Sequence, residues 1–287
     1  MSTNKPCRFI FFGTPQFAVT ILEELEKAGL LPSAIVTAPD KPKGRGLILT
    51  PSEVKTWATA HNIPVHTPEK VRGNAEFLDI TRGYSADCFI VAAYGKILPK
   101  ELLDIPPRGV VNVHPSLLPK FRGSSPIESF ILSDEPHTGV TIMLLDEEMD
   151  HGPIIAQRER IMTERYPKGS VLTDDLGHFG GALLAEVLPA WVAGNMTATP
   201  QDHDRATFTK KITKEDGLID LAGDPVSNLK KVRAYDEWPS VYTFIERASK
   251  KVRVKILDAK IEDGKFVPTH VVPEGKKEMS WGDFMRG

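Results

Sequence analysis

Near its N-terminus the chain reads FIFFGTPQFAVTILEEL over residues 9–25. The first four residues are continuously apolar, as in a buried strand, and Phe17, Ile21 and Leu25 then recur at helical spacing. We expect Thr14 to cap this helix and Pro15 to occupy its first turn, where the missing N–H costs nothing. A strand, a turn and a helix in this order predict the first unit of an open α/β sheet.

Further short apolar runs continue this pattern. They lie at residues 34–36, 88–93, 109–113 and 139–145, with helical or irregular segments between them. Thr50 and Glu53 resemble a capping box for a further helix, and an apolar-periodic helix at residues 171–192 closes the domain. The pattern predicts a parallel sheet covered on both faces, in a Rossmann-like α/β domain of residues 1–194.

The last part of the chain has a different composition and a different hydrophobic pattern. Residues 195–207 are polar and predict a linker. Residues 208–287 contain short runs typical of strands, at 217–221, 241–244 and 252–257. We therefore predict a small β-rich C-terminal domain.

The composition excludes several classes of protein. Among 287 residues, 41% are hydrophobic and 26% are charged, which is typical of a globular protein. The net charge of -2 gives no overall attraction to nucleic acid or membrane. No window approaches the about 20 apolar residues of a membrane span, and the N-terminus lacks a signal-peptide pattern, which favours a cytoplasmic location. Cys88 lies in an apolar run and is expected to be buried.

Two polar residues interrupt the apolar run that begins at residue 109. Asn112 and His114 are two positions apart, so a strand places both side chains on one face, roughly 7 Å apart. They fall at the carboxyl end of the strand, where open α/β proteins bind ligands, although satisfied core polar residues would show the same pattern. An acidic turn at residues 146–150 follows the next run, and most such turns are simply solvated.

Several common sites are not indicated. The acidic turn lacks the spacing of a calcium loop, and the histidines lack the spacing of a zinc site, so we expect no metal. The first strand is followed by one glycine, Gly13, where the dinucleotide fingerprint needs three. The Rossmann-like domain is therefore predicted to serve a ligand other than NAD.

Six segments together resemble the formyltransferases that use 10-formyltetrahydrofolate. They are FGTPQFA (12–18), PDKPKGRG (39–46), AYGKILP (93–99), NVHPSLLP (112–119), FRG (121–123) and TGVTIM (138–143). The resemblance continues through residues 210–216, 233–239 and 273–279, as in the members that act on methionyl-tRNA. It implies an OB-like barrel for the C-terminal domain, here shortened because residue 260 is followed almost at once by the terminal motif.

The resemblance implies an enzyme that transfers the formyl group of 10-formyltetrahydrofolate to the amino group of methionyl-tRNA for translation initiation. It assigns catalysis to Asn112, His114 and Asp150 and requires no metal. The amide and the protonated imidazole would donate to the oxyanion of the tetrahedral intermediate. The carboxylate would favour the charged imidazole and receive the proton of the attacking amine.

The resemblance also assigns binding residues. It places the folate along Ser116, Leu117, Leu118 and Pro119, with Ile97 and Leu98 beside the pterin, and the alternative reading of these leucines as ordinary core stays open. The acceptor end of the tRNA is assigned to Lys41, Lys43 and Arg45, whose phosphate contacts would position the RNA without reading its sequence. Lys210 and Lys211 would extend this basic track, with further lysines at 230, 231, 250 and 251. We expect a monomer.

Three other functions remain open. A sugar-nucleotide N-formyltransferase would share the fold, the donor and the catalytic residues, but the basic segment at residues 39–46 and the basic tail argue against it. A non-catalytic RNA-binding relative would retain the scaffold without turnover, and a folate hydrolase would use water in place of the amine. Retention of Asn112, His114 and Asp150 argues against the non-catalytic relative.

Overall fold

The computed structural model describes residues 7–43, 46–247 and 250–286, with the backbone alone of residue 43. The chain divides into two compact units. The first unit contains the chain up to residue 122 together with residues 138–160 and 174–207, and the second contains residues 123–137, 161–173 and 208 onward. Residues 195–207, predicted as a linker, thus lie in the first unit.

The first unit contains the central sheet. In chain order its strands are β1 (Phe9–Gly13), β2 (Ala34–Val36), β3 (Lys41–Lys43), β4 (Ile48–Thr50), β5 (Val65–His66), β6 (Cys88–Ala92), β7 (Val110–His114), β8 (Thr138–Leu144) and β9 (Ile154–Arg160). Strands β3 and β4 form a separate antiparallel hairpin, and the other seven form one sheet in the order β5-β2-β1-β6-β7-β8-β9. The predicted Rossmann-like open sheet is confirmed.

The direction of β8 differs from the prediction, and β9 was not predicted. Strands β5, β2, β1, β6 and β7 pair in parallel, but β8 runs antiparallel to β7 and β9 antiparallel to β8. The expectation that residues 139–145 add another parallel strand is therefore wrong. A continuous apolar run indicates that a strand is buried on both faces. This burial does not determine whether the strand runs parallel or antiparallel to its neighbour.

Helices connect these strands. They are α1 (Gln16–Lys27), α2 (Glu53–Ala60), α3 (Ala75–Gly83), α4 (Lys100–Leu103), α5 (Pro126–Leu132) and α6 (Gly169–Val192), of which α5 and the first five residues of α6 belong to the second unit. The predicted long helix near residue 171 is confirmed. None of the described helices is long and apolar enough to cross a membrane.

The predicted helix caps are wrong by one or two residues. Helix α1 begins at Gln16, and the Thr14 hydroxyl donates instead to the carbonyl of Tyr94 at 3.4 Å. Helix α2 is capped by Ser52, whose hydroxyl accepts the N–H of Lys55 at 3.0 Å, while Thr50 lies in β4. Closely spaced hydroxyl residues compete for the cap, and local spacing alone does not select between them.

The core of the first unit is aromatic near the sheet centre. The ring of Phe12 lies 5.4 Å from that of Phe89 and 5.5 Å from that of Tyr94. Cys88 is fully buried, as predicted. These contacts fix β1 and β6 next to β7, which carries Asn112 and His114.

The second unit is β-rich, as predicted. It contains α7 (Pro225–Ala234), α8 (Trp281–Arg286) and the antiparallel strands β10 (Val241–Arg247), β11 (Lys250–Glu262), β12 (Lys265–Pro273) and β13 (Met279–Ser280), in that order. The predicted strand at residues 217–221 is wrong, because a 3-10 turn at Glu215–Gly217 precedes a single bridge between Leu218 and Tyr242. Asp216 stabilises this turn by accepting the N–H of Thr213 at 2.8 Å.

Candidate active site

Asn112 and His114 lie on β7, where the parallel part of the sheet ends. Both side chains are buried, with 8% and 4% of the residue exposed. Asn112 is in register with Val91 on β6 and Met143 on β8, and His114 is opposite Thr141. Their separation by two positions places them on one face of the strand. The sequence prediction placed them at this position in the sheet.

The imidazole of His114 has a defined orientation. Its Nε2 lies 3.0 Å from the carbonyl oxygen of Phe121. A carbonyl only accepts, so Nε2 donates and carries a proton. The other nitrogen, Nδ1, lies 3.7 Å from Oδ1 of Asp150, which is too long for a hydrogen bond but close enough for a charge interaction. The structure therefore brings together two of the three predicted catalytic residues from distant parts of the chain.

Asp150 is held in an uncommon backbone conformation. Its φ is +49°, in the left-handed region that non-glycine residues rarely adopt. The amide of Gln201 donates to the carbonyl of Asp150 at 2.9 Å and to that of Gly152 at 2.7 Å. A Cβ at residue 152 would lie 2.1 Å from the carbonyl oxygen of Leu144, so only glycine fits there. The turn after β8 is therefore fixed by the side-chain amide of Gln201 and by the close packing of Gly152 against the backbone of Leu144.

The segment after His114 is fixed by one buried hydroxyl. Oγ1 of Thr141 donates to the carbonyl of Ser116 at 2.7 Å and accepts the N–H of Leu118 at 3.1 Å. The amide of Gln157 donates to the same hydroxyl at 2.8 Å and to the carbonyl of Leu118 at 2.9 Å. The hydroxyl of Ser116 donates to the carbonyl of Lys120 at 2.7 Å. Residues 116–120 are thus held by hydrogen bonds to Thr141 and Gln157 and by one bond within the segment.

The predicted folate residues differ in accessibility. Ser116 and Leu118 are buried, at 1% and 3% exposure, whereas Leu117 and Pro119 are half-buried. The peptide bond between Leu118 and Pro119 is cis. The side chains of Leu117 and Pro119 are therefore the ones in this segment that a ligand can reach.

Comparison with known proteins bears on this site. Residues 7–188 match the family described as formyl transferase, and residues 211–272 match its C-terminal domain. The chain is 47% identical over 239 residues to the methionyl-tRNA formyltransferase of Chloroflexus aggregans, covering 83% of this chain and 76% of that protein. It is 38% identical over 304 residues to the protein of the same name in Dictyoglomus thermophilum, covering 98% and 96%. The chain belongs to the methionyl-tRNA formyltransferase family.

A solved structure supports the fold of this family. HypX from Aquifex aeolicus, in complex with tetrahydrofolic acid, shares 16% identity and superimposes with a TM-score of 0.69. The alignment covers 98% of this chain and 47% of that one, so this chain spans about half of HypX. The expected formyltransferase family and its two-part fold are thus confirmed.

The second folate segment predicted from the family resemblance lies at residues 93–99. Ile97 is 78% exposed, whereas Leu98 is 7% exposed and belongs to the hydrophobic core with Tyr94. The Tyr94 hydroxyl is buried and has no hydrogen-bond partner among the described residues, and burial raises its pKa to about 12. The structure therefore leaves Ile97 accessible to a ligand and places Leu98 in the core.

The predicted tRNA residues near β3 are only partly described. Lys41 is exposed, while the side chain of Lys43 and all of Arg45 lie outside the described residues. Burial, together with the nearby charge of Lys41, lowers the pKa of Lys96. Three consecutive apolar residues of the same hairpin are exposed, Leu47, Ile48 and Leu49, at 72%, 71% and 65%.

The predicted lysines of the second unit are not equivalent. Lys210 is exposed but pairs with Asp216 at 2.5 Å, and this contact, together with the Thr213 backbone, lowers the pKa of Asp216 to about 2. Lys211 is exposed. Lys230 is buried and pairs with Asp134 at 2.6 Å, so the expectation that it extends an exposed basic track is wrong.

Sequence reasoning missed four polar residues around the site. Arg122 and Gln201 are buried at 3% and 6% exposure, Thr141 is fully buried, and Gln157 bonds to it. Thr141 interrupts a buried apolar run, which is the same signal that identified Asn112. Gln201 lies in a polar stretch where nothing local distinguishes it. No group of three or more His, Cys, Asp or Glu in the described part of the chain is arranged to hold a metal.

Proposed function

We propose that this protein transfers the formyl group of 10-formyltetrahydrofolate to the amino group of methionyl-tRNA, giving N-formylmethionyl-tRNA for translation initiation. The observation that carries this proposal is the pair formed by buried His114 and half-buried Asp150, 3.7 Å apart, in a chain similar to methionyl-tRNA formyltransferases over nearly its whole length. The fold shared with HypX in complex with tetrahydrofolic acid supports a folate donor.

The proposed chemistry uses the three polar residues together. The amine nitrogen attacks the formyl carbon, and the carbonyl oxygen becomes an oxyanion. The amide of Asn112 and the Nδ1–H of protonated His114 donate to this oxyanion. Asp150 receives the proton that the amine loses and passes it to N10 of the folate as the bond between N10 and the formyl carbon breaks, while the oxyanion collapses to the carbonyl of the new formamide. Two donors and one proton acceptor therefore account for the balance of atoms and charge.

The orientation of His114 supports its assigned role. Because Nε2 already donates to the carbonyl of Phe121, Nδ1 is the nitrogen available to a substrate. Nδ1 also lies 3.7 Å from Oδ1 of Asp150, so the nitrogen available to a substrate is next to the proposed proton acceptor. The pair is thus arranged to offer a donor at the position where negative charge develops.

We infer the binding surfaces from the same family. The folate lies along residues 116–119 and beside Ile97 and Leu98. The acceptor end of the tRNA meets Lys41, Lys43 and Arg45, and Lys210 and Lys211 extend the contact. The first compact unit, which includes residues 195–207, carries the catalytic site, and the β-rich part beyond residue 208 contributes to tRNA binding. The protein acts in the cytoplasm as a monomer, without a metal.

Substitution of the catalytic residues tests this function. Asn112→Ala removes one oxyanion donor and Asp150→Asn removes the proton acceptor, so each is expected to lower kcat by about 100-fold or more. The assay is formyl transfer to methionyl-tRNA, with thermal unfolding measured in parallel. The matched control is Glu147→Gln, an exposed carboxylate in the same turn, which is expected to retain wild-type kcat. Wild-type turnover in Asp150→Asn would contradict the assignment.

A further inference from the structure

Gln201 holds the turn that carries Asp150, and Arg122 fixes the orientation of Gln201. Nε and Nη2 of Arg122 donate to Oε1 of Gln201 at 3.1 and 2.7 Å. A guanidinium only donates, so Oε1 must face Arg122 and the amide N–H groups must face the carbonyls of Asp150 and Gly152. The buried arginine thereby determines which way the amide points.

Arg122 also contacts the same turn through His203. Nη2 of Arg122 lies 2.8 Å from Nδ1 of His203, which must therefore accept. The His203 ring stacks on that of His151, with centroids 4.1 Å apart and planes 6° apart. His151 in turn lies 2.7 Å from Oδ2 of Asp146. The turn at residues 146–152 is thus held by the hydrogen bonds from Gln201 to its backbone, by the stacking of His203 on His151, and by the contact between His151 and Asp146.

Thr207 holds the partner of His114 in a similar way. Its hydroxyl accepts the N–H of Phe121 at 2.8 Å, its carbonyl accepts the N–H of Arg122 at 2.8 Å, and its own N–H donates to the carbonyl of Pro119 at 3.2 Å. Phe121 has a φ of +60° and provides the carbonyl to which His114 donates. The chain at residues 201–207 therefore contacts the supports of both His114 and Asp150.

We propose that residues 201–207 form a clasp that sets the geometry of the catalytic pair, with Gln201 positioning Asp150 and Thr207 positioning His114. Neither residue touches the reacting atoms. This inference rests on the proposed roles of His114 and Asp150. The polar stretch at residues 195–207, predicted to be a linker, thus contains residues that position the catalytic pair.

The backbone conformations explain why a clasp is needed. Asp150 and Phe121 both have φ values in the left-handed region, at +49° and +60°. Non-glycine residues persist there only where the surrounding contacts hold them. Without the two amide hydrogen bonds from Gln201, Asp150 would relax toward a commoner conformation and move its carboxylate away from Nδ1 of His114.

Gln201→Glu tests the clasp with little change in shape. A glutamate keeps an oxygen to accept from Arg122 but places a second oxygen, in place of the amide donor, against two carbonyls. We expect kcat to fall about 10- to 100-fold through misplacement of Asp150, while both KM values change less than about twofold and the thermal midpoint stays near the wild-type value. The matched control is Asn195→Asp, the same chemical change at an exposed position nearby, which is expected to retain wild-type kcat.

A double-mutant cycle separates positioning from general damage. If Gln201 acts through Asp150, Gln201→Glu has no further effect on kcat in the Asp150→Asn background. An equal loss in both backgrounds, or wild-type kcat in the single variant, would overturn the clasp. Wild-type turnover in Asp150→Asn alone would instead overturn the assignment of Asp150, so the two failures are distinguishable.

Thr207→Val provides an independent variant at the other end of the clasp. It keeps the size of the side chain and removes the acceptor for the N–H of Phe121. We expect a fall in kcat of about 10-fold with unchanged KM for folate. Thr59→Val, at an exposed threonine on α2, is the control, and equal kcat in these two variants would remove Thr207 from the clasp.

Discussion

At the residue scale, a few buried side chains fix the site, and Thr141 is one of them. It is fully buried and bonds to Ser116, Leu118 and Gln157 at 2.7, 3.1 and 2.8 Å. These partners are too deep to find water in exchange. The conformation of the proposed folate segment therefore depends on one hydroxyl.

Thr141→Val tests this dependence. Valine has nearly the same shape but leaves the Ser116 carbonyl, the Leu118 N–H and one N–H of Gln157 with one partner fewer. We expect a loss of about 1–3 kcal/mol in the free energy of unfolding and a higher KM for 10-formyltetrahydrofolate. Denaturant unfolding and steady-state kinetics measure both. Wild-type stability together with wild-type KM would show that Thr141 does not support the segment.

Residues of the site differed in how far the sequence could identify them. Asn112 and His114 were identifiable because burying a polar side chain in a strand costs free energy unless the group is hydrogen-bonded, so such residues stand out from an apolar run. Strand spacing then places both on one face. The role of Asp150 came from the family resemblance alone, since acidic turns are common. Gln201 and Arg122 act through contacts between segments 79 positions apart, which no local pattern encodes.

At the element scale, helix α2 shows what its N-terminal sequence contributes. The Ser52 hydroxyl accepts the Lys55 N–H at 3.0 Å and bonds to the buried hydroxyl of Thr37 at 2.8 Å. Thr50, the cap predicted from the sequence, lies in β4, where its hydroxyl donates to the Ile48 carbonyl at 2.9 Å. The helix start is therefore determined by a tertiary contact as well as by the local sequence.

Paired substitutions at the two hydroxyl residues test this helix start. Ser52→Ala removes the cap and leaves the Thr37 hydroxyl without that partner, so we expect a loss of about 1–2 kcal/mol in the free energy of unfolding. Thr50→Ala is expected to cost less than about 0.5 kcal/mol, because its hydroxyl is not the cap. Urea unfolding of both variants measures the difference. Equal losses would contradict the assignment of Ser52 as the cap.

The existence of the elements was more predictable than their direction. Strands β1, β6 and β7 follow from continuous apolar runs, and α6 follows from its period. The antiparallel direction of β8 did not follow, because a strand buried on both faces has the same composition in either direction. The half-exposed β9 was not predicted as a strand. The strand predicted at residues 217–221 is instead a single bridge at Leu218 after the 3-10 turn, and the hydrogen bonds of Asp216 that hold this turn are not visible in a hydrophobic pattern.

At the scale of the whole molecule, the net charge of -2 requires that any RNA contact be local. Of the lysines proposed for this contact, Lys41 and Lys211 are exposed, and Lys210 is exposed but paired with Asp216. Binding through a few phosphate contacts weakens as salt rises, with a slope set by the number of contacts. The proposed tRNA surface therefore consists of local patches rather than a uniformly basic face.

The proposed catalytic residues all belong to the first compact unit, including the residues of the clasp. The sequence divided the chain by its change in composition after residue 194, whereas the compact units place residues 123–137 and 161–173 with the β-rich part. It could not assign residues 201–207, because a polar stretch that bonds to a buried site has the composition of a solvated linker. Contacts distant in sequence determine that assignment.

The first experiment is formyl transfer by the wild-type protein from 10-formyltetrahydrofolate, with methionyl-tRNA and a panel of aminosugar nucleotides offered separately as acceptors. The proposed function predicts N-formylmethionyl-tRNA as the product, with one tetrahydrofolate released for each formyl group transferred and no formylated sugar. A formylated sugar with unreacted methionyl-tRNA would contradict the acceptor, and release of formate alone, or tRNA binding without transfer, would contradict the transferase.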